Sequence, residues 1–127
     1  MESNLHSDLT DKIINAFFEV YNTLGYGFLE KVYEKALLGE LTDRGFTCSN
    51  QQKIDVFYKN KIVGEYFADL IVNDSVILEL KASDKLIQEN EYQLLNYLKA
   101  TKYEIGLLLN FGKKPEIKRK IFTNNNK

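Results

Sequence analysis

The stretch "FADLIVNDSVILELK", residues 67–81 of a chain of 127, has the composition of a buried β-hairpin. The turn residues Asn73, Asp74 and Ser75 separate two runs rich in Val, Ile and Leu. Three residues contradict that reading: Asp69, Glu79 and Lys81. Two carboxylates and an amine in so apolar a segment need a reason, and the reason depends on the register.

Side chains alternate between the faces of a strand, so Glu79 and Lys81 share a face. With a loop of three residues, Val72 pairs with Val76 and Asp69 comes opposite Glu79. Ala68, Leu70, Val72, Val76, Leu78 and Leu80 then form one wholly apolar face. Phe67, Asp69, Ile71, Ile77, Glu79 and Lys81 form the other. A two-residue loop would set Asp69 opposite Leu78 and mix the faces, as any one-residue slip does. Apolar sorting therefore selects the register that gathers the charges. Two carboxylates about 5 Å apart at Cβ repel unless a positive charge lies between them. A divalent cation meets that need, and Mg²⁺ binds one or two carboxylates while keeping several waters. A Lys beside them can orient a water or offset charge on a phosphate. The same residues also read as a surface face with a cross-strand Asp–Lys or Glu–Lys pair.

Working outward, residues 7–24 read as a helix. Ser7 is the expected cap, Asp8 and Asp11 suit the positive end, and Gly25 suits the stop. A second helix is expected over residues 28–44, closed by Gly45. Its apolar face carries Leu29, Val32, Tyr33, Ala36, Leu37 and Leu41. Strands are expected at residues 53–59, 62–72 and 76–82, then a third helix from 83 or 84 to 100. "EIGLLLNFG" reads as an interior strand buried on both faces, and a last strand covers about residues 117–122. The order α-α-β-β-β-α-β-β makes a mixed α/β domain. The termini, residues 1–6 and 123–127, are expected to fray.

Composition narrows the function. Hydrophobic residues make up 44% of the chain, with eight Tyr and eight Phe, enough for one core without disulfide or structural metal. The single Cys48 cannot form an internal disulfide and reads as a small, buried or half-buried residue. His6 stands alone near the terminus and is given no role. The N-terminal "MESNLHSDLTDK" has no apolar run of signal-peptide type, and no stretch approaches membrane-spanning length. A cytoplasmic protein with no membrane association is expected. The net charge of −1 excludes duplex binding by charge alone. Nucleic-acid contact would need metal ions or the local patch "KKPEIKRK", residues 113–120, which also reads as a solvated terminal strand.

The spacing Asp69-x9-Glu79-x-Lys81 resembles the active-site signature of the PD-(D/E)XK nuclease superfamily. Further segments resemble one small single-domain branch, the GxxExxY family. These are "GFLEKVYEKAL", with Gly27, Glu30 and Tyr33 as its Gly-x-x-Glu-x-x-Tyr, then "GEYFADLIV", "ILELKA", "QLLNYLKAT" and "GLLLNFG", in the branch's order. The likeness covers residues 9–122. Ala68 stands where the superfamily's name has Pro, a position without chemistry. The resemblance implies one nuclease-like domain over residues 1–127, with a restriction-endonuclease-like core of central mixed sheet and flanking helices.

The resemblance also implies a chemistry, a Mg²⁺-dependent nuclease (Mn²⁺ as substitute) that hydrolyses DNA or RNA through a metal-activated water. Asp69 and Glu79 would bind the metal, with the main-chain carbonyl of Leu80. Lys81 would assist the water, and Glu30 would reach the metal from its helix. Gln93 and Tyr97, at i and i+4 on the third helix, resemble a Gln-x3-Tyr motif of exonuclease-type members. There Gln meets phosphate or base and Tyr stacks or orients the site. Tyr33 is either core or a hydrogen-bonding group of the site. A homodimer is compatible with so small a domain. The alternative reading is a non-catalytic nucleic-acid-binding or assembly module that kept the fold. Mutual repulsion of the acids also leads to the expectation that Ala at Asp69 or Glu79 raises metal-free stability.

Overall fold

The structure is a computed structural model that describes residues 6–127. The remaining expected frayed residues, 1–5, lie outside the described residues. Helix α1 (Ser7–Leu24) buries Ile13, Ala16, Phe17 and Val20 on one stripe. Its cap residue is His6, in a left-handed conformation and without a side-chain cap bond. Ser7 is therefore the first helical residue rather than the cap, and its carbonyl accepts a bond from Thr10 Oγ1 at 3.0 Å. Gly25 closes the helix, donating its N–H to Tyr21 O at 2.8 Å.

Helix α2 (Glu30–Asp43) starts later than expected because Leu29 is extended. Leu29 and Val32 are consequently exposed, and the buried stripe is Tyr33, Glu34, Leu37 and Leu41. Strand β1 (Cys48–Tyr58) begins earlier than expected. Its polar start has no apolar alternation to betray it, but pairs with β2 (Lys61–Val72) from Cys48↔Val72 onward.

Strand β3 (Val76–Lys81) pairs with β2 in the expected register, Val72↔Val76 and Leu70↔Leu78. It runs parallel to β4 (Ile105–Phe111), which is buried throughout, and β5 (Pro115–Ile121) closes the far edge antiparallel. The sheet order is β1-β2-β3-β4-β5. Leu70, Val72, Val76, Leu78 and Leu80 pack under α1 and α2. Ile71 and Ile77 pack on the other face with α3 (Gln88–Lys99). One expectation is corrected here: Ala68 belongs to the α3 side, not to the face of Leu70. The inward side of β2 changes between them, where Gln51 on the neighbouring strand has a left-handed φ of 53°.

The third helix begins at Gln88, not at residue 83 or 84. Asn110, fully buried, accepts the Ser83 N–H (3.0 Å) and donates to the Ser83 carbonyl and to Glu116 (both 2.9 Å). Glu116 also accepts the Leu86 N–H at 3.0 Å. These bonds compete with a helical turn there, so the connection stays irregular. Asn110→Ala should lower stability by about 3 kcal/mol, since buried partners lose their bonds together. Urea unfolding measures this, and a loss well under about 1 kcal/mol would show that Asn110 does not clamp the connection.

The C-terminal residues make hydrogen bonds to the connection between α3 and β4. Asn124 N–H donates to Glu104 at 2.8 Å, and Lys127 Nζ donates to the carbonyls of Thr101 and Tyr103, both at 2.7 Å. Among the described residues no helix is long and apolar enough to cross a membrane.

Candidate active site

The β2–β3 ladder stops at Leu70↔Leu78. Past that point two carboxylates take over the work of backbone carbonyls. The Asp69 N–H donates to Glu79 Oε2 at 3.0 Å, and the Leu80 N–H donates to Asp69 Oδ2 at 2.8 Å. The strands can separate there because their orphaned donors are satisfied by side chains. The N–H and C=O of a strand residue point to the same side. The Leu80 carbonyl therefore also turns toward the gap that the carboxylates bridge.

Asp69 is held from the β1 side too. Gln51 Nε2 lies 3.3 Å from Asp69 Oδ1 and 3.0 and 3.2 Å from the two oxygens of Glu34. Glu34 is buried, with Lys31 Nζ 3.4 Å from Oε1. The network Glu34–Gln51–Asp69 thus ties α2 to the hairpin. Sequence reasoning missed both Glu34 and Gln51. Glu34 had a signal: it sits in the buried stripe with Leu37 and Leu41, where an acid is out of place. Gln51 had none, because its role comes from an irregular backbone inside a polar run.

The electrostatics show how crowded the acids are. Burial pushes the Glu79 carboxyl up to about 8, and the charges of Asp69 and Glu30 add to this. The Asp69 N–H and Lys81 oppose the rise. Burial also raises Asp69, as does the charge of Glu34, against the Leu80 N–H, Gln51 and Lys81. Lys81, half-buried at the end of β3, is thus a cation felt by both carboxylates. Burial and then the charges of Glu79 and Asp69 drive the Tyr97 phenol up to about 12. Its hydroxyl accepts from Gln93 Nε2 at 3.0 Å, and its ring lies 5.5 Å from that of Tyr66.

The structure therefore brings Asp69, Glu79 and the Leu80 main chain into one constellation, with the Lys81 charge acting on both acids. Gln93 and Tyr97 flank it from α3. Glu30 is exposed in the first turn of α2 and acts on Glu79 through its charge. Tyr33 does not join the site. Its ring stacks on Phe111 at 4.2 Å, and its hydroxyl donates to Gly25 O (2.7 Å) and accepts from Phe28 N–H (3.2 Å). With 0% exposure it takes the core alternative of the two expected for it, and its hydroxyl braces the turn before α2.

No group of three or more His, Cys, Asp and Glu side chains is arranged to hold a metal among the described residues. Two carboxylates and a main-chain oxygen are instead an open, hard-oxygen donor set. Such a set fits a hydrated divalent ion of the Mg²⁺ type, whose charge would offset the burial that raises both carboxyls and the repulsion that Glu79 feels from Asp69.

Comparison with known proteins bears on the family and the fold. The family model of the PD-(D/E)XK nuclease superfamily matches residues 7–120. No curated protein matches the chain. A solved structure described as "Crystal structure of SSO0001" is similar in fold, with a TM-score of 0.56 and 18% identity. The likeness covers 73% of this chain and 50% of that one, so this chain spans about half its length. The five-stranded mixed sheet between helices is the restriction-endonuclease-like fold. On the family match across residues 7–120, the chain belongs to the PD-(D/E)XK nuclease superfamily.

Proposed function

We propose that the protein is a divalent-metal-dependent nuclease, using Mg²⁺ or Mn²⁺ to hydrolyse phosphodiester bonds of DNA or RNA. The observation that carries this reading is the pair Asp69 and Glu79, set at the point where the β2–β3 ladder ends and both pushed toward their neutral forms. The segment Gly27-x-x-Glu30-x-x-Tyr33 supports assigning it to the GxxExxY branch.

In this reading Asp69, Glu79 and the Leu80 carbonyl hold the ion. A bound divalent ion lowers the pKa of water and draws charge from phosphate oxygens. Lys81 positions the attacking water and offsets negative charge on the phosphate. Glu30 orders the outer ligands from the α2 side. Gln93 donates to phosphate or base, and Tyr97, neutral at any working pH, keeps Gln93 oriented through their hydrogen bond.

Labelled single-stranded and duplex DNA and RNA, incubated with Mg²⁺, Mn²⁺ or EDTA, test the reading. Cleavage should require the metal, and Lys81→Ala should slow it by about 100-fold while keeping metal-induced thermal stabilisation. No cleavage on any substrate would replace the nuclease with the non-catalytic module, and cleavage that persists in EDTA would overturn the metal dependence.

A further inference from the structure

A cleft of about 840 Å³ runs between α3 and the outer part of the β1–β2 hairpin. The hairpin wall carries Phe57 and Tyr66, and the helix wall carries Tyr92, Gln93, Asn96 and Tyr97. Phe57, Tyr66 and Tyr92 are 61%, 46% and 54% exposed, so three aromatic residues stand open to solvent beside amide side chains in the lining. Rings interleaved with amides suit bases, which offer a flat π-face and hydrogen-bonding edges. The cleft's charged lining is one acid and one base, Glu89 and Lys99. That is a poor match to a duplex, whose two phosphate strands call for many cations. The cleft is lined by Gln93 and Tyr97, which are hydrogen-bonded to each other, and the Tyr97 phenol feels the charges of Glu79 and Asp69, so the cleft borders the carboxylate site.

We infer that this cleft takes a single strand of nucleic acid, with bases stacked on Phe57, Tyr66 and Tyr92 as the strand approaches Asp69 and Glu79. The inference deepens the nuclease reading and rests on it only for the last step. Duplex would then be attacked at unpaired ends, gaps or loops.

Fluorescence anisotropy in EDTA reads binding without cleavage. The probes are labelled oligothymidylate and oligouridylate of about twelve nucleotides, within the span of known single-strand sites, and a duplex of equal length. A single strand should bind more tightly than the duplex, and the preferred sugar names the substrate. Phe57→Ala and Tyr92→Ala should each weaken the strand by about tenfold, while Tyr92→Phe keeps wild-type affinity because the ring remains. Thermal melts confirm that these surface variants fold. Equal affinity for strand and duplex, or alanine variants that bind like wild type, would overturn the inference. If the strand binds as expected but Mg²⁺ supports no cleavage, the cleft stands and the nuclease reading falls. If Mg²⁺ supports cleavage that neither alanine variant changes, the nuclease reading stands and the cleft falls.

Discussion

The metal-free protein should lose stability as pH rises from about 5 to about 8, and Glu79→Gln should remove most of that slope. The Glu79 carboxyl moves from an ordinary 4.5 up to about 8, chiefly through burial and then through Asp69. Its folded pKa thus lies above its unfolded value. The stabilising contribution is complete below the unfolded pKa. It is lost as the unfolded chain ionises while the folded one keeps its proton, until pH passes the folded pKa. The loss reaches about 1.4 kcal/mol for each pH unit in that window. Asp69 is raised as well and adds a slope of the same sign. Gln is neutral and keeps an acceptor for the Asp69 N–H, so at about pH 8 the variant should exceed wild type by roughly 2–4 kcal/mol. Urea midpoints in EDTA across this range measure both curves. Parallel curves would mean that Glu79 is ionised throughout and that the acid pair is not strained.

Metal should reverse the penalty. On the proposed metal site a divalent ion would bind the folded state alone, and at a free concentration about ten times Kd it would add about 1.4 kcal/mol. For a domain of this size that raises the Tm by about 3–8 °C. Asp69→Asn should abolish the rise and cut cleavage by about a thousandfold, the scale of several kcal/mol of Lewis-acid assistance. Asn is the informative variant. The sequence alone leads one to expect that Ala at Asp69 or Glu79 relieves repulsion and stabilises the metal-free fold. The geometry sets a cost against this, because each carboxylate also accepts a backbone N–H, from Leu80 and Asp69 respectively. Alanine would strand a donor, and that cost of about 1–3 kcal/mol opposes the relief. Melts with Mg²⁺ and with EDTA at constant ionic strength decide the matter. Equal shifts in wild type and Asp69→Asn would remove Asp69 from the metal site.

The register of residues 70–78 was legible because Leu70, Val72, Val76 and Leu78 sort to one face in only one pairing, whereas Ala68 and the end of the ladder beyond Leu70 departed from it. α1 and the interior β4 were legible for the same reason, as long periodic or continuous apolar runs. The start of α3 was not. Residues 83–87 carry no strong helix breaker, and the bonds that hold them irregular come from Asn110 and Glu116, far along the chain. The side switch of β2 at Asp69 was hidden too. It depends on the conformation of Gln51, which no local pattern encodes. Tyr33 stayed open between core and site because it shares a motif with Glu30 and a period with the core residues, and only its burial separates a packed ring from the exposed acid one turn before it.

The β1–β2 hairpin runs past the rest of the sheet. β3 pairs with only Leu70, Ile71 and Val72 of β2, so the strands beyond have each other as ladder partners. A two-stranded ribbon is marginal by itself in water. Amide hydrogens near Phe57 and Ile62 should therefore exchange through local opening, orders of magnitude faster than those of β4, which wait for global unfolding. That ribbon is also the wall bearing Phe57. If the cleft takes a strand as inferred above, local opening of this wall would admit a polymer without free ends, such as a circle or a loop, from the side.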